Sequence, residues 1–134
     1  MPATAVRFTS VTPNLIVKDV AVSTAFYRDL LGFAVKDTVP PEPPFVFVWL
    51  ERGGVTVFLN DAAAVAKDLP SFAAPSFGGT GTLFVIVEGV DALHDALSPQ
   101  TSVVLSLRTQ PYGMREFAVM DPDGHLITFA ERVG

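Results

Sequence analysis

The chain has 134 residues, 49% of them hydrophobic and 17% charged, with a formal net charge of −5 and no cysteine. That length suits one domain with a sizeable core. The missing thiols exclude disulfides, thiolate metal sites and cysteine nucleophiles, and the absence of a Lys/Arg cluster argues against nucleic acid. The start, MPATAVRFTS, lacks the basic and apolar regions of a signal peptide, and no apolar run approaches the roughly 18–20 residues of a membrane span. The expectation is a cytoplasmic protein with no membrane partner. The acidity permits a cationic ligand without requiring one.

In chain order, 11–17 (VTPNLIV) reads as a strand. Asp19 is placed to cap a helix running to about Leu31, with Val22, Phe26 and Leu30 at helical spacing and Gly32 where a C-terminal cap belongs. Residues 33–39 read as a second strand. PPEPP follows as a stiff loop that cannot join a central ladder. Phe45–Leu50 and Val55–Leu59 read as a hairpin across ERGG. The Ala/Ser/Pro/Gly-rich stretch 62–79 reads as a linker, with room for a short helical turn. The order then repeats: a strand at 82–87, a short helix at about 91–97, and strands at about 103–108, 114–120 and 126–131. Asp121-Pro122-Asp123-Gly124 is a strong turn signal between the last two.

This is an internal repeat. Thr12, Val17, Val20, Phe47 and Gly54 recur as Thr82, Val87, Val90, Phe117 and Gly124, at a constant offset and without a gap. The fold class expected is α+β. Two βαβββ modules, at about 10–61 and 80–132 and joined by the linker at 62–79, form curved sheets around a cavity within one domain. Each module has one sheet and one short helix, so neither can bury its apolar face alone.

Two segments, LIVKDVAVSTAFYRDLLGF and REFAVMDPDGHLITFAE, resemble the signature segments of the vicinal oxygen chelate superfamily. That superfamily includes glyoxalase I, extradiol dioxygenases and bleomycin-resistance proteins. The resemblance covers about residues 10–132. It is specific for fold and poor for activity. It implies one divalent metal held by His, Glu or Gln on four strands. The matching positions here are Thr12, Thr82, Thr128 and Phe58, with Thr56 as the alternative to Phe58. Hydroxyls and a phenyl ring are poor primary ligands for a divalent cation, so neither a metal nor any other cofactor is expected. The resemblance also implies a homodimer, in some members formed by exchanging modules.

If Asp121 pairs with Gly124, Thr128 lies opposite Phe117 and Ala130 opposite Arg115, and opposite residues share a face. In the first module the equivalent pairs are Phe58 with Phe47, Thr56 with Trp49, and Asn60 with Phe45. The candidate ligand-binding set is therefore Phe45, Phe47, Trp49, Phe58 and Phe84, with Thr12, Asn14, Thr82, Arg115 and Thr128 as sparse polar groups. Such an apolar wall with few polar fixings is usual in small-molecule pockets. A slip of one residue exchanges the faces and brings in Glu116.

Each residue has a plainer reading beside the functional one. Phe47 and Phe58 are equally well core packing. Trp49 favours a ligand, because a buried indole N–H needs a partner. Arg115 is either a pocket anchor or a surface ion pair. Tyr27 reads as structural, Tyr112 in the QPYG loop as part of a lid, and Asp121 and Asp123 as turn formers. His94 reads as a solvated helix residue and His125 as structural or surface, pointing away from Thr128. Glu116 is a base only if it faces the cavity. No catalytic set is identified.

The function expected is metal-independent binding of a small hydrophobic, planar or aromatic molecule, as in bleomycin-resistance proteins. The alternative is a lyase, isomerase or dioxygenase of the same superfamily with catalytic residues at non-family positions. A third reading is a non-catalytic interaction module whose concave face is simply core.

Overall fold

A computed structural model describes residues 7, 9–68 and 82–133. The strands are β1 (Asn14–Val17), β2 (Ala34–Val39), β3 (Phe47–Arg52), β4 (Val55–Asp61), β5 (Thr82–Ile86), β6 (Val103–Thr109), β7 (Met114–Met120) and β8 (Leu126–Arg132). The helices are α1 (Val20–Ala25), α2 (Ala62–Asp68) and α3 (Val90–Leu97). Two four-stranded mixed sheets result, ordered β1-β4-β3-β2 and β5-β8-β7-β6. Helix α2 occupies the first part of the expected linker; residues 69–79 of that linker lie outside the described residues. Among the described residues, no helix is long and apolar enough to cross a membrane.

Local chemistry explains α1. Asp19 accepts a hydrogen bond from the Val22 amide at 3.2 Å, as an N-cap does. The helix continues as a π-helical turn over Phe26–Leu30, with the Leu31 amide bonded to the Phe26 carbonyl at 3.2 Å. Gly32, at φ 75°, then lets the Phe33 amide reach the Tyr27 carbonyl at 2.9 Å. The buried stripe is Val20, Ser23, Thr24, Tyr27 and Leu31, while Val22 is exposed. Of the apolar residues at helical spacing, Phe26 and Leu30 pack at the margin of the core and Val22 does not. The helix turns two hydroxyl side chains inward, and the partner of Ser23 lies a hundred residues away in sequence.

That partner is the turn between β7 and β8. The Asp123 carboxylate accepts from the Lys18 amide at 3.0 Å and the Ser23 hydroxyl at 3.1 Å. Asp121 accepts from the Tyr27 hydroxyl at 2.8 Å. The turn carboxylates therefore do more than shape the turn: they bolt the second sheet to the first helix. The core is continuous across this seam. Val48, Leu50, Val57 and Leu59 of the first sheet share one cluster with Phe117, Val119, Ile127 and Phe129 of the second.

Strand β1 runs parallel to β4 with Asn14 beside Phe58, and β5 parallel to β8 with Phe84 beside Thr128, so the sequence offset holds there. It fails by one residue between β3 and β7. Glycines 53 and 54 alone join Arg52 to Val55. In the second module three residues, Pro122 to Gly124, separate Asp121 from His125, and the Asp121 amide bonds the His125 carbonyl at 3.0 Å. The extra residue follows from Asp121, whose carboxylate accepts from the Asp123 and His125 amides at 2.9 and 2.8 Å and so widens the turn. The gapless alignment is thus corrected. Phe47 and Phe117 are not equivalent: Phe117 is fully buried in the core, Phe47 only half-buried.

Candidate functional site

Each sheet turns one face to the core and one away from it. In the first module the outward face carries Phe47, Trp49 and Glu51 of β3, Thr56, Phe58 and Asn60 of β4, and Asn14 of β1. Trp49 pairs with Phe58 and Phe47 with Asn60, two residues from the expected register. An even slip preserves the face, so the aromatic group is brought together. The Phe58 ring packs edge-on against Phe47 (centroids 5.0 Å apart) and Trp49 (5.7 Å). Trp49 remains 36% exposed. Its indole N–H donates to Glu51 at 3.0 Å, so it does not depend on a ligand for a partner. The Asn60 amide donates to the Asn14 side-chain oxygen beside these rings. Phe45 departs from the expected set: it precedes β3 and packs against the core cluster. Thr12 precedes β1.

In the second module the odd slip exchanges faces. Ala118 lies opposite Thr128 and Glu116 opposite Ala130, while Phe117 pairs with Phe129 inside the core. Arg115 is thereby turned away from Thr128. Its guanidinium reaches Asp91 at the start of α3, at 2.8 Å, and forms a part-exposed ion pair there. The outward face instead holds Thr82, Phe84 and Ile86 of β5, Thr128 and Ala130 of β8, and Glu116, Ala118 and Met120 of β7.

A pocket of about 310 Å³ opens on this face, lined by Leu105, Ser106, Arg108, Gln110, Glu116 and Thr128 among others. Glu116 is only 7% exposed. Its Oε1 accepts from the Tyr112 hydroxyl at 2.6 Å and from Gln110 Nε2 at 3.5 Å, while its Oε2 has no partner among the described residues. The sequence signal for this residue was the single carboxylate inside a strand near the site; the slip of register hid it. Tyr112 lies in the β6–β7 turn over this carboxylate, and the bond holds its phenol above the usual range, followed in effect by desolvation and the Glu116 charge. Two further cavities lie between the modules. One, of about 810 Å³, runs between Arg52–Val55 and α3; the other, of about 490 Å³, includes Thr56, Thr82 and Phe84.

The histidines lie off this face. His94 is half-buried rather than solvated, its ring edge-on to Phe117 at 5.1 Å. His125 is buried, with Nδ1 2.7 Å from Asp121. The hydrogen bond to Asp121 raises its pKa, burial opposes, and the Asp121 and Asp123 charges assist. Burial pushes Asp121 up, but hydrogen bonds from the His125 side chain and amide and from Tyr27 together hold it below the usual carboxylate range.

The donor set for the family's metal can be tested directly. Thr82 and Thr128 do share the outward face, but they and Phe58 offer neither charge nor imidazole. Among the described residues, no group of three or more His, Cys, Asp or Glu side chains could hold a metal ion. The residues at these positions do not fit a divalent metal.

Known proteins resemble this chain closely enough to place it. Residues 7–129 match the family model for the Glyoxalase/Bleomycin resistance protein/Dioxygenase superfamily. A bleomycin resistance protein of Geobacillus stearothermophilus is 33% identical over 130 residues, covering 90% of this chain and 95% of that one. The crystal structure of a glyoxalase/bleomycin resistance protein/dioxygenase from Nocardioides superposes with a TM-score of 0.79 at 21% identity, covering 98% of this chain and 88% of that one. That of a bleomycin-binding protein from bleomycin-producing Streptomyces verticillus, complexed with copper(II)-bleomycin, gives 0.65 at 26% identity, covering 96% and 98%. The duplicated strand–helix–strand units, the DPDG turn and these matches agree: the chain belongs to the glyoxalase/bleomycin resistance protein/dioxygenase superfamily.

Proposed function

We propose that this protein binds a planar or aromatic small molecule, without a metal, on the outward faces of its sheets. The observation that carries the reading is the aromatic group of Phe47, Trp49 and Phe58. The Phe47 and Trp49 rings each pack edge-on against Phe58 on the face turned from the core, beside the Asn14–Asn60 amide pair. Rings needed only for packing are usually inside; a part-exposed aromatic group with a few polar fixings suits a flat ligand. Thr82, Phe84 and Thr128 supply the equivalent face of the second module. Phe84, Ile86 and Met120 there are exposed, and a homodimer facing one chain's first module to its partner's second would cover both. The protein works in the cytoplasm in this reading.

Trp49 is the chain's single tryptophan, so its fluorescence reports the site without interference. Bleomycin is the first compound to titrate, given the Streptomyces relative, followed by simpler planar aromatics. Binding should quench Trp49, and Phe58→Ala should weaken it by roughly 1–3 kcal/mol, the scale of apolar side-chain burial. Unchanged affinity in a folded Phe58→Ala variant would refute this face as the site. Light scattering at micromolar concentration tests the dimer.

A further inference from the structure

Resting on that reading, we infer that Glu116 is the anchor for a positively charged nitrogen, an ammonium or guanidinium, on the ligand. A carboxylate buried to this degree ordinarily has every oxygen partnered. Here one oxygen is held by Tyr112 and Gln110, and the other, shielded from water, has no partner among the described residues. The nearest candidate cation does not fill the gap. Arg108 is the cross-strand neighbour of Glu116 and lines the same pocket, yet it is exposed and, among the described residues, forms no ion pair with it. Arg115, the next residue along β7, is turned to the opposite face and engaged by Asp91.

The missing donor is therefore one that arrives from outside. An N–H⁺ group bonded to a shielded carboxylate makes a short, charge-assisted hydrogen bond, stronger than the bond of a neutral donor. The pocket's other wall residues, Leu105, Ser106 and Thr128, offer apolar contact and hydroxyl acceptors that suit the carbon and remaining protons of such a group. Tyr112 is 58% exposed on its turn, so it can swing aside to admit the nitrogen.

The test uses the full chain and two probes of matched shape, 2-naphthylmethylammonium and 2-naphthylmethanol, titrated calorimetrically into the wild type and Glu116→Gln. The wild type should prefer the ammonium by about tenfold or more. Glu116→Gln should bring the two affinities within about twofold, chiefly by loss of affinity for the ammonium. Amide NMR spectra of the wild type give a second readout that needs no variant: Glu116 and the Tyr112 turn should shift with the ammonium and not with the alcohol. Equal wild-type affinities, or a preference that survives Glu116→Gln, would overturn the role of Glu116 and leave the small-molecule reading standing. Binding of neither probe would overturn both.

Discussion

Replacing Tyr27 by Phe removes a single oxygen from the seam between the modules. The ring stays, with its edge-on contacts to Phe26 and Phe33 at centroid distances of 5.3 and 5.8 Å. What is lost is the 2.8 Å hydrogen bond to Asp121, between two fully or almost fully buried side chains. Asp121 Oδ2 keeps His125 Nδ1 at 2.7 Å, so no acceptor is orphaned. The cost is then that of one hydrogen bond to a charged group, about 1.5–3 kcal/mol, without an added desolvation penalty. For a chain of this size that lowers Tm by roughly 5–10 °C. Asp121→Asn should cost more, since it weakens bonds from Tyr27, the His125 ring and two backbone amides together. Urea unfolding followed by circular dichroism measures each, and the double variant should recover about 1–2 kcal/mol relative to the sum, as expected for residues in direct contact. A Tyr27→Phe cost under about 0.5 kcal/mol, the range of an ordinary surface change, would refute the seam as a source of stability.

The same cluster sets a pH dependence. His125 has a raised folded pKa, so its contribution is fully present below the ordinary histidine value and is lost as pH rises through the folded one. Asp121, held low, contributes above the ordinary carboxylate value and loses that contribution as pH falls through the folded one. The urea midpoint should therefore fall as pH rises above the ordinary histidine value in the wild type but not in His125→Asn; parallel profiles for the two would contradict this. Arg115→Ala should leave ligand affinity unchanged and cost under about 1 kcal/mol of stability, because its pair with Asp91 is part-exposed; a large loss of binding in titration would return it to the site. A fragment of residues 1–68 should aggregate or stay unfolded, since its core residues pack in one cluster with those of the second module; a monomeric, cooperatively melting fragment would show the modules to be independent.

The sequence alone determined the architecture. Periodicity, caps and turn residues are local signals, and Asp19, Gly32, the Gly53-Gly54 hairpin and the DPDG turn each act within a few residues of themselves. The repeat located both first strands, and β1–β4 and β5–β8 keep its offset. The aromatic group of Phe47, Trp49 and Phe58 was legible because a register error of two residues preserves a face. Tertiary structure decided the rest. Asp121 widens its own turn through two backbone hydrogen bonds, and that one extra residue exchanges Glu116 for Arg115 on the outward face. Turn width depends on side-chain hydrogen bonding that a residue pattern does not encode. The inward turn of Ser23 and the bond between Tyr27 and Asp121 were hidden for a related reason: a hydroxyl becomes a core residue only when a carboxylate a hundred residues away is folded against it.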